Sequence, residues 1–179
     1  MAWGLKLRVV LLVLAVPYSL IGMSHAEDQL SKRFVGGYAF VDVPIATAYQ
    51  DWTTQKGLKG FLVSKADISL QPGGDYSLTM RYRTPESGDQ PTNGQILSLQ
   101  AGEMLSVTWH IPTTFDGVGG QQTFVQLWFE SVGPDRTLVT VEQHGFGTGK
   151  DWNAAYTYYS DLWRRIFDAY ESHHAPDDD

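Results

Sequence analysis

A stripe of aromatic residues near the end of the chain is its strongest pattern. Apolar side chains recur there at spacings of three and four residues: Trp152, Tyr156, Tyr159, Trp163, Ile166 and Tyr170. At about 3.6 residues per turn, this spacing places all six on one face of a helix over residues 150–171. The other face is polar: Asn153, Thr157, Ser160, Asp161, Arg164, Arg165, Asp168 and Glu171. Tyr and Trp carry polar atoms that need partners, so the stripe indicates an interface that lines a cavity or closes a core.

Upstream of this helix the pattern changes to a period of two, which is typical of half-buried antiparallel strands. It predicts strands at residues 63–70, 76–82, 94–99, 105–110, 124–131 and 137–143. A further strand at 34–43 ends at Pro44, which also begins a short helix over 45–52. A second short helix or turn ends near Phe61. The order predicts an α+β fold: a curved antiparallel sheet of about seven strands, two short helices, and the long C-terminal helix covering the sheet.

Residues 1–26 have the layout of a secretory signal peptide. Lys6 and Arg8 precede an apolar run over 9–16, and Ser24-His25-Ala26 is a small-x-small cleavage pattern. An uncleaved anchor is the alternative, but the run is short and interrupted by Pro17. We expect cleavage after Ala26, a secreted or periplasmic protein, and no stable membrane insertion afterwards. The remaining divisions are an N-terminal arm (27–34), one domain (35–172) and a disordered acidic tail (173–179).

Charge and composition narrow the possible partners. Without residues 1–26 the chain has 11 basic and 20 acidic residues, a net charge of −9. It has no basic stripe, so we expect no nucleic-acid partner. The sequence contains no cysteine, which excludes disulfides and thiol chemistry. No nucleotide loop or other cofactor motif is present, and we predict no cofactor.

Several short motifs, in this order and spacing, resemble those of one superfamily. They are Val43-Pro44, Trp52-Thr53-Thr54, Gly57-Leu58, Phe61, Pro72-Gly73-Gly74-Asp75-Tyr76, Gly94 with Ile96, residues 105–109, residues 137–141 and Gln143-His144-Gly145-Phe146. The chain resembles the START-like superfamily (SRPBCC, the helix-grip fold), which includes lipid-transfer START domains and polyketide cyclases. The branch it resembles most is the domain named after the activator of a heat-shock-protein ATPase (Aha-type). Export would separate the chain from a cytosolic chaperone, so the name of the branch is not taken as its function.

The resemblance implies a ligand site between the sheet and the long helix. Its predicted lining is Tyr76, Leu78, Met80, Trp109, Leu127, Phe129, Val139, Val141, Gln143, Tyr156, Tyr159 and Trp163. One interpretation is an amphipathic pocket for an apolar or aromatic small molecule, oriented by tyrosine hydroxyls and Gln143. The other is a filled core in which each ring packs on its neighbours. Departures from the family at Gln71, Ser98 and Tyr158-Tyr159 prevent a relative's ligand from being assigned to this chain.

Histidines and loops give weaker indications. Alternation directs His110 and His144 away from the helix, so we predict surface histidines rather than a general acid or base, and no catalytic residue is assigned. The loop at 113–121 is either a lid over the cavity or an ordinary hairpin loop. His173, His174 and Asp177–Asp179 could bind a metal weakly, but we predict no metal site and a loose tail instead.

Two aromatic residues, Phe124 and Trp128, are predicted on the outer face of the sheet. They mark either a self-association surface, and hence a possible homodimer, or a surface that the first strand or the N-terminal arm covers. Three functions follow from these patterns. The leading one is an exported protein that binds an apolar small molecule or lipid. The alternatives are a polyketide cyclase- or dehydratase-like enzyme that uses the same cavity, and an interaction module with a filled core.

Overall fold

The computed structural model of the protein describes residues 32–81 and 92–176. In chain order its elements are β1 (Val35–Val41), α1 (Ile45–Thr53), α2 (Gln55–Phe61), β2 (Val63–Ile68), β3 (Asp75–Met80), β4 (Thr92–Gln100), β5 (Met104–His110), β6 (Gln122–Gly133), β7 (Arg136–His144) and α3 (Lys150–His173). The predicted signal peptide (1–26), most of the N-terminal arm, most of the 84–93 loop and the last three residues lie outside these ranges.

All the strands belong to one antiparallel sheet, in the order β1-β7-β6-β5-β4-β3-β2. From β2 to β7 each strand pairs with its neighbour in sequence. β1 instead pairs with β7, with Val35 opposite Gln143 and Val41 opposite Thr137. α1 and α2 connect the two edges of the sheet, and α3 packs on β1 and α2. The predicted α+β helix-grip fold with about seven strands is confirmed.

A single residue, Thr54, separates the two short helices. Its extended backbone (φ −123°, ψ 149°) ends α1, and its hydroxyl accepts the Gly57 backbone N–H at 3.0 Å to cap α2. A side chain at Gly57 would overlap the backbone of Asp51. Glycine at this position therefore allows α1 and α2 to pack at a sharp angle.

The long helix α3 buries the predicted stripe. Tyr159, Trp163, Ile166 and Tyr170 are at most 1% exposed, whereas the eight polar positions of the opposite face are all exposed. Ala155, Leu162 and Phe167 are also buried and widen the apolar face. Trp152 and Tyr156, at the start of the stripe, are only half-buried. No helix in the described ranges is both long and apolar enough to cross a membrane.

On the outer face of the sheet, a histidine lies between the N-terminal arm and Phe124, one of the two aromatic residues predicted there. The Phe34 ring stacks on His144 at 5.4 Å between centroids, and His144 stacks on Phe124 at 5.5 Å. His144 also lies 2.8 Å from a carboxylate oxygen of Glu142. The arm therefore stacks on His144, and Phe124 remains 37% exposed. Trp128 is half-buried. His144 lies on the outer face, as predicted.

Candidate functional site

Eleven of the twelve predicted lining residues belong to one apolar cluster between the sheet and α3, and the twelfth, Gln143, is a buried polar residue. Ten of the twelve are at most 4% exposed: Tyr76, Leu78, Trp109, Leu127, Phe129, Val139, Val141, Gln143, Tyr159 and Trp163. Met80 and Tyr156 are half-buried. Side chains that line a void wide enough for a ligand keep part of their surface uncovered, and these ten keep almost none. The packing of these ten residues is therefore that of a filled interior.

Gln143, the amide of the predicted lining, hydrogen-bonds to protein through both its oxygen and its nitrogen. Its side-chain oxygen accepts the ring N–H of Trp163 at 2.8 Å, and its NH₂ group donates to the Thr123 hydroxyl at 2.8 Å. Thr123 in turn donates to the backbone oxygen of Trp109 at 2.7 Å. The chain links α3 to β7, β6 and β5. Thr123 is not among the residues predicted from the sequence. It lies two positions before Val125 on β6, so its side chain points to the same inner face of the sheet.

The hydroxyls of Tyr76 and Tyr159, the two fully buried tyrosines of the predicted lining, also have partners. Tyr76 donates to the backbone oxygen of Trp52 at 2.7 Å, and Tyr159 donates to that of His110 at 3.1 Å. Burial raises the pKa of both phenols well above the usual value, so they remain neutral donors. Polarising a substrate carbonyl, as the enzyme alternative requires, would mean breaking these bonds.

Tyr156 lies at the border of the cluster, beside the N-terminal arm. Its hydroxyl donates to the Phe34 backbone oxygen at 3.1 Å, and the Arg33 guanidinium lies 4.1 Å from the centre of its ring. Its ring meets Phe146 edge-on at 5.5 Å. Tyr156 therefore joins the arm to α3.

A groove lies on the opposite side of α3 from the arm, where the 112–121 loop meets the helix. Its volume is about 330 Å³, and its lining is Phe115, Ala154, Thr157, Tyr158, Asp161, Leu162 and Arg165. The Phe115 ring packs edge-on against Tyr158 at 5.3 Å, and Tyr158 contacts Tyr159 at 5.0 Å. The loop, predicted to be a lid or a hairpin loop, is thus docked on α3 through Phe115.

A second polar cluster lies at the far end of α3. The Asp51 carboxylate on α1 is 8% exposed, and one of its oxygens accepts the Tyr170 hydroxyl at 3.2 Å and lies 2.8 Å from Nε2 of His174. His173 is the last residue of α3. The prediction of a loose tail is therefore wrong for its first two residues, because the helix and Asp51 hold them in the fold. Asp177–Asp179 lie outside the described residues.

Together, the sheet order, the helix across its concave face and the filled apolar interface define a START-like helix-grip domain. Residues 42–173 match the family described as Activator of Hsp90 ATPase homolog 1-like protein, and the chain belongs to this family. The resemblance read from the motifs is confirmed. A comparison with curated proteins gives no significant match.

Solved structures share the fold at low sequence identity. A protein from Mesorhizobium loti is 17% identical with a TM-score of 0.64, over 79% of this chain and 96% of its own. The Aha1 dimer from Colwellia psychrerythraea is 16% identical with a TM-score of 0.58, over 79% and 96%. An HSP90 activator from Plasmodium falciparum is 16% identical with a TM-score of 0.57, over 75% and 89%. At these identities the likeness concerns the fold alone.

Proposed function

We propose that the protein is an exported carrier that binds an apolar or aromatic small molecule or lipid beside α3, with the Phe115 loop as the gate. The observation that carries the proposal is the position of Phe115. Its ring covers Tyr158, which contacts Tyr159 in the filled interior. A ligand that displaces Phe115 gains aromatic contact without first opening the sheet.

The chemistry of the groove suits an amphipathic ligand. Phe115, Ala154 and Leu162 offer apolar contact, while Asp161 and Arg165 are charged groups at the same surface. Its volume of about 330 Å³ is at the lower end of the range of about 300–1,000 Å³ for small-molecule sites. A ligand with an apolar portion of several carbons and one polar end group fits this combination of apolar and charged residues. The predicted interior residues would then form a second layer, which the ligand reaches only when Phe115 moves.

Binding can be tested with matched variants of the chain from residue 27 onward. Thr157→Trp places a large ring in the groove, whereas Ser160→Trp places the same ring on an exposed position of α3 that does not line it. A panel of fatty acids, isoprenoids, sterols and aromatic ketones is screened by thermal shift and native mass spectrometry. Thr157→Trp should abolish binding, and Ser160→Trp should bind like the unsubstituted chain.

Two results contradict the carrier function. One is that no member of the panel binds and that protein purified from its host's envelope carries no extractable lipid. The other is equal binding by the two tryptophan variants, which would place the ligand away from the groove.

Export is proposed because residues 6–26 begin with basic residues, continue with an apolar run and end in a small-x-small cleavage pattern. N-terminal sequencing of envelope protein should begin at Glu27. Intact Met1 in a cytosolic fraction would contradict export but leave ligand binding untouched.

A second function, interaction through the outer sheet face, is favoured by two exposed rings on the edge strand β1. Tyr38 is 65% exposed and Phe40 44% exposed, and they meet edge-on at 5.9 Å. Exposed aromatic pairs next to a strand edge suit a protein partner, including a second copy of the chain.

The homodimer is tested by sedimentation of a double variant, Tyr38→Ser with Phe40→Ser. This variant should dissociate the dimer and sediment with the mass of a monomer. Leu97→Ser, at a 49% exposed position on β4, is the control and should not. A monomer at all protein concentrations would refute the homodimer.

A further inference from the structure

Three potential metal ligands converge where the end of α3 meets α1. Asp51, His173 and His174, called here the Asp51 cluster, each offer one ligand atom, and these atoms lie within 4.8 Å of one another. The two imidazole rings are 4.7 Å apart between centroids. Asp51 is about 120 residues away in sequence from both histidines, so the fold itself brings the cluster together.

The carboxylate in this cluster needs positive charge. Asp51 is 8% exposed, and burying a carboxylate is costly unless a cation compensates it. Within residues 32–81 and 92–176, the ion pair of Asp51 is with His174, at 2.8 Å. Its other partner, the Tyr170 hydroxyl, donates a hydrogen bond at 3.2 Å. A divalent ion beside these side chains would compensate the buried carboxylate.

The surroundings of His173 also allow its imidazole to act as a metal ligand. The ring lies on Phe61 at 6.2 Å between centroids, and a Cβ atom at Gly60 would come within 2.8 Å of it. Glycine at residue 60 therefore leaves room for this imidazole against α2. His173 also lines a cleft of about 460 Å³ that is open to solvent. An ion held by His173 would have a route in and a position left for water.

We propose that Asp51, His173 and His174 bind a divalent transition-metal ion, with zinc the ion tested, through two imidazole nitrogens and one carboxylate oxygen. This donor set is one that zinc takes with three protein ligands and one water. Metal–ligand distances of about 2.0–2.2 Å place the donors closer together than 4.8 Å, so the exposed His173 ring must turn inward on binding. The Tyr170 hydroxyl then orients the carboxylate from behind. The ion fastens the last turn of α3 to α1.

The test uses the chain from residue 27 onward without a polyhistidine tag, since a tag would bind the same ions. Zinc chloride is titrated calorimetrically at pH 7.5, and cobalt(II) serves as a spectroscopic probe of coordination. We expect one ion per chain, a thermal midpoint that rises with zinc concentration, and visible absorption from tetrahedral cobalt. Because protons compete with the metal for its ligands, zinc affinity should fall as the pH is lowered.

Three variants make the assignment specific. His173→Phe keeps the ring on Phe61 and leaves the Asp51–His174 contact in place, so it should fold normally and lose at least about 10-fold in zinc affinity. His144→Asn removes the imidazole that pairs with Glu142 on the outer face, and it should bind zinc like the unsubstituted chain. A chain ending at Pro176 should also keep full affinity. Absence of zinc binding up to millimolar concentration would overturn the proposal, as would unchanged affinity in His173→Phe or loss of binding on removal of residues 177–179.

Discussion

Trp163 gives a direct test of the filled interior. Its ring is 1% exposed and packs on Trp109 at 5.8 Å between centroids. Truncating a buried aromatic ring to alanine costs about 3–5 kcal/mol. Trp163→Ala also leaves the buried oxygen of Gln143 without its donor, which costs a further about 1–3 kcal/mol. A total of about 4–8 kcal/mol approaches the whole stability of a domain, so this variant should be largely unfolded at 37 °C.

Trp163→Phe reduces the packing loss. It keeps a six-membered ring and removes the indole N–H donor with a small part of the ring volume, so the free energy of unfolding should fall by at least about 1–3 kcal/mol and by less than in Trp163→Ala. Adding Gln143→Leu removes the unpaired oxygen as well. The double variant should be at least about 0.5 kcal/mol more stable than the sum of the single effects predicts, because the two side chains are direct partners.

Urea unfolding followed by far-UV circular dichroism measures the unsubstituted chain, the three single variants (Trp163→Ala, Trp163→Phe and Gln143→Leu) and the double variant without relying on tryptophan emission. A loss below about 1 kcal/mol in Trp163→Ala would mean that the ring faces open space. The filled interior would then be wrong, and the ligand would be placed against Trp163 instead. Strict additivity in the double variant would mean that the bond between the two side chains contributes nothing.

Two further predictions concern the backbone and the interior phenols. Gly36→Ala should lower the free energy of unfolding by about 1–3 kcal/mol or more, because the added methyl group overlaps the Val141 carbonyl oxygen. Gly133→Ala is the control: its methyl group meets only an ordinary contact at 3.6 Å, so its urea unfolding should be nearly unchanged. Tyr76 and Tyr159 have pKa values raised by burial, so above about pH 10 the unfolded state loses protons that the folded state keeps and stability falls as the pH rises. Tyrosinate absorbance from these two should appear only together with loss of circular dichroism; ionisation near pH 10 with the fold intact would contradict their burial.

Most of the fold was predictable because its signals are local. The alternation along β5 and the spacing of three and four residues along α3 each predict the direction of a side chain. Each pattern lies within a single element, so it can be read without knowing the rest of the fold. Strand ends were less well defined: β6 runs over Gln122–Gly133 rather than 124–131, since Gln122 still pairs with His110 and Gly133 with Arg136.

The interior and the Asp51 cluster were not predictable to the same extent. Periodicity gives the direction of Trp163 and Gln143, but whether they enclose space depends on how closely α3 approaches the sheet. No local pattern marks Asp51 on α1 as buried, because its burial depends on where α3 ends about 120 residues later. His173 and His174 were assigned to a tail by composition, which does not reveal that a helix extends to them.

The pairing of the two ends of the chain determines when this domain can form. Val35 pairs with Gln143, 108 positions later (143 − 35), and the helix that packs on the same strand is the last element of all. Contacts this distant in sequence slow folding, and during synthesis the first strand has no partner until nearly the whole chain has been made. A nascent chain of this design cannot complete its sheet until β7 has been made. This delay suits the export proposed above, because an apparatus that accepts only unfolded polypeptide needs the chain before its sheet has closed.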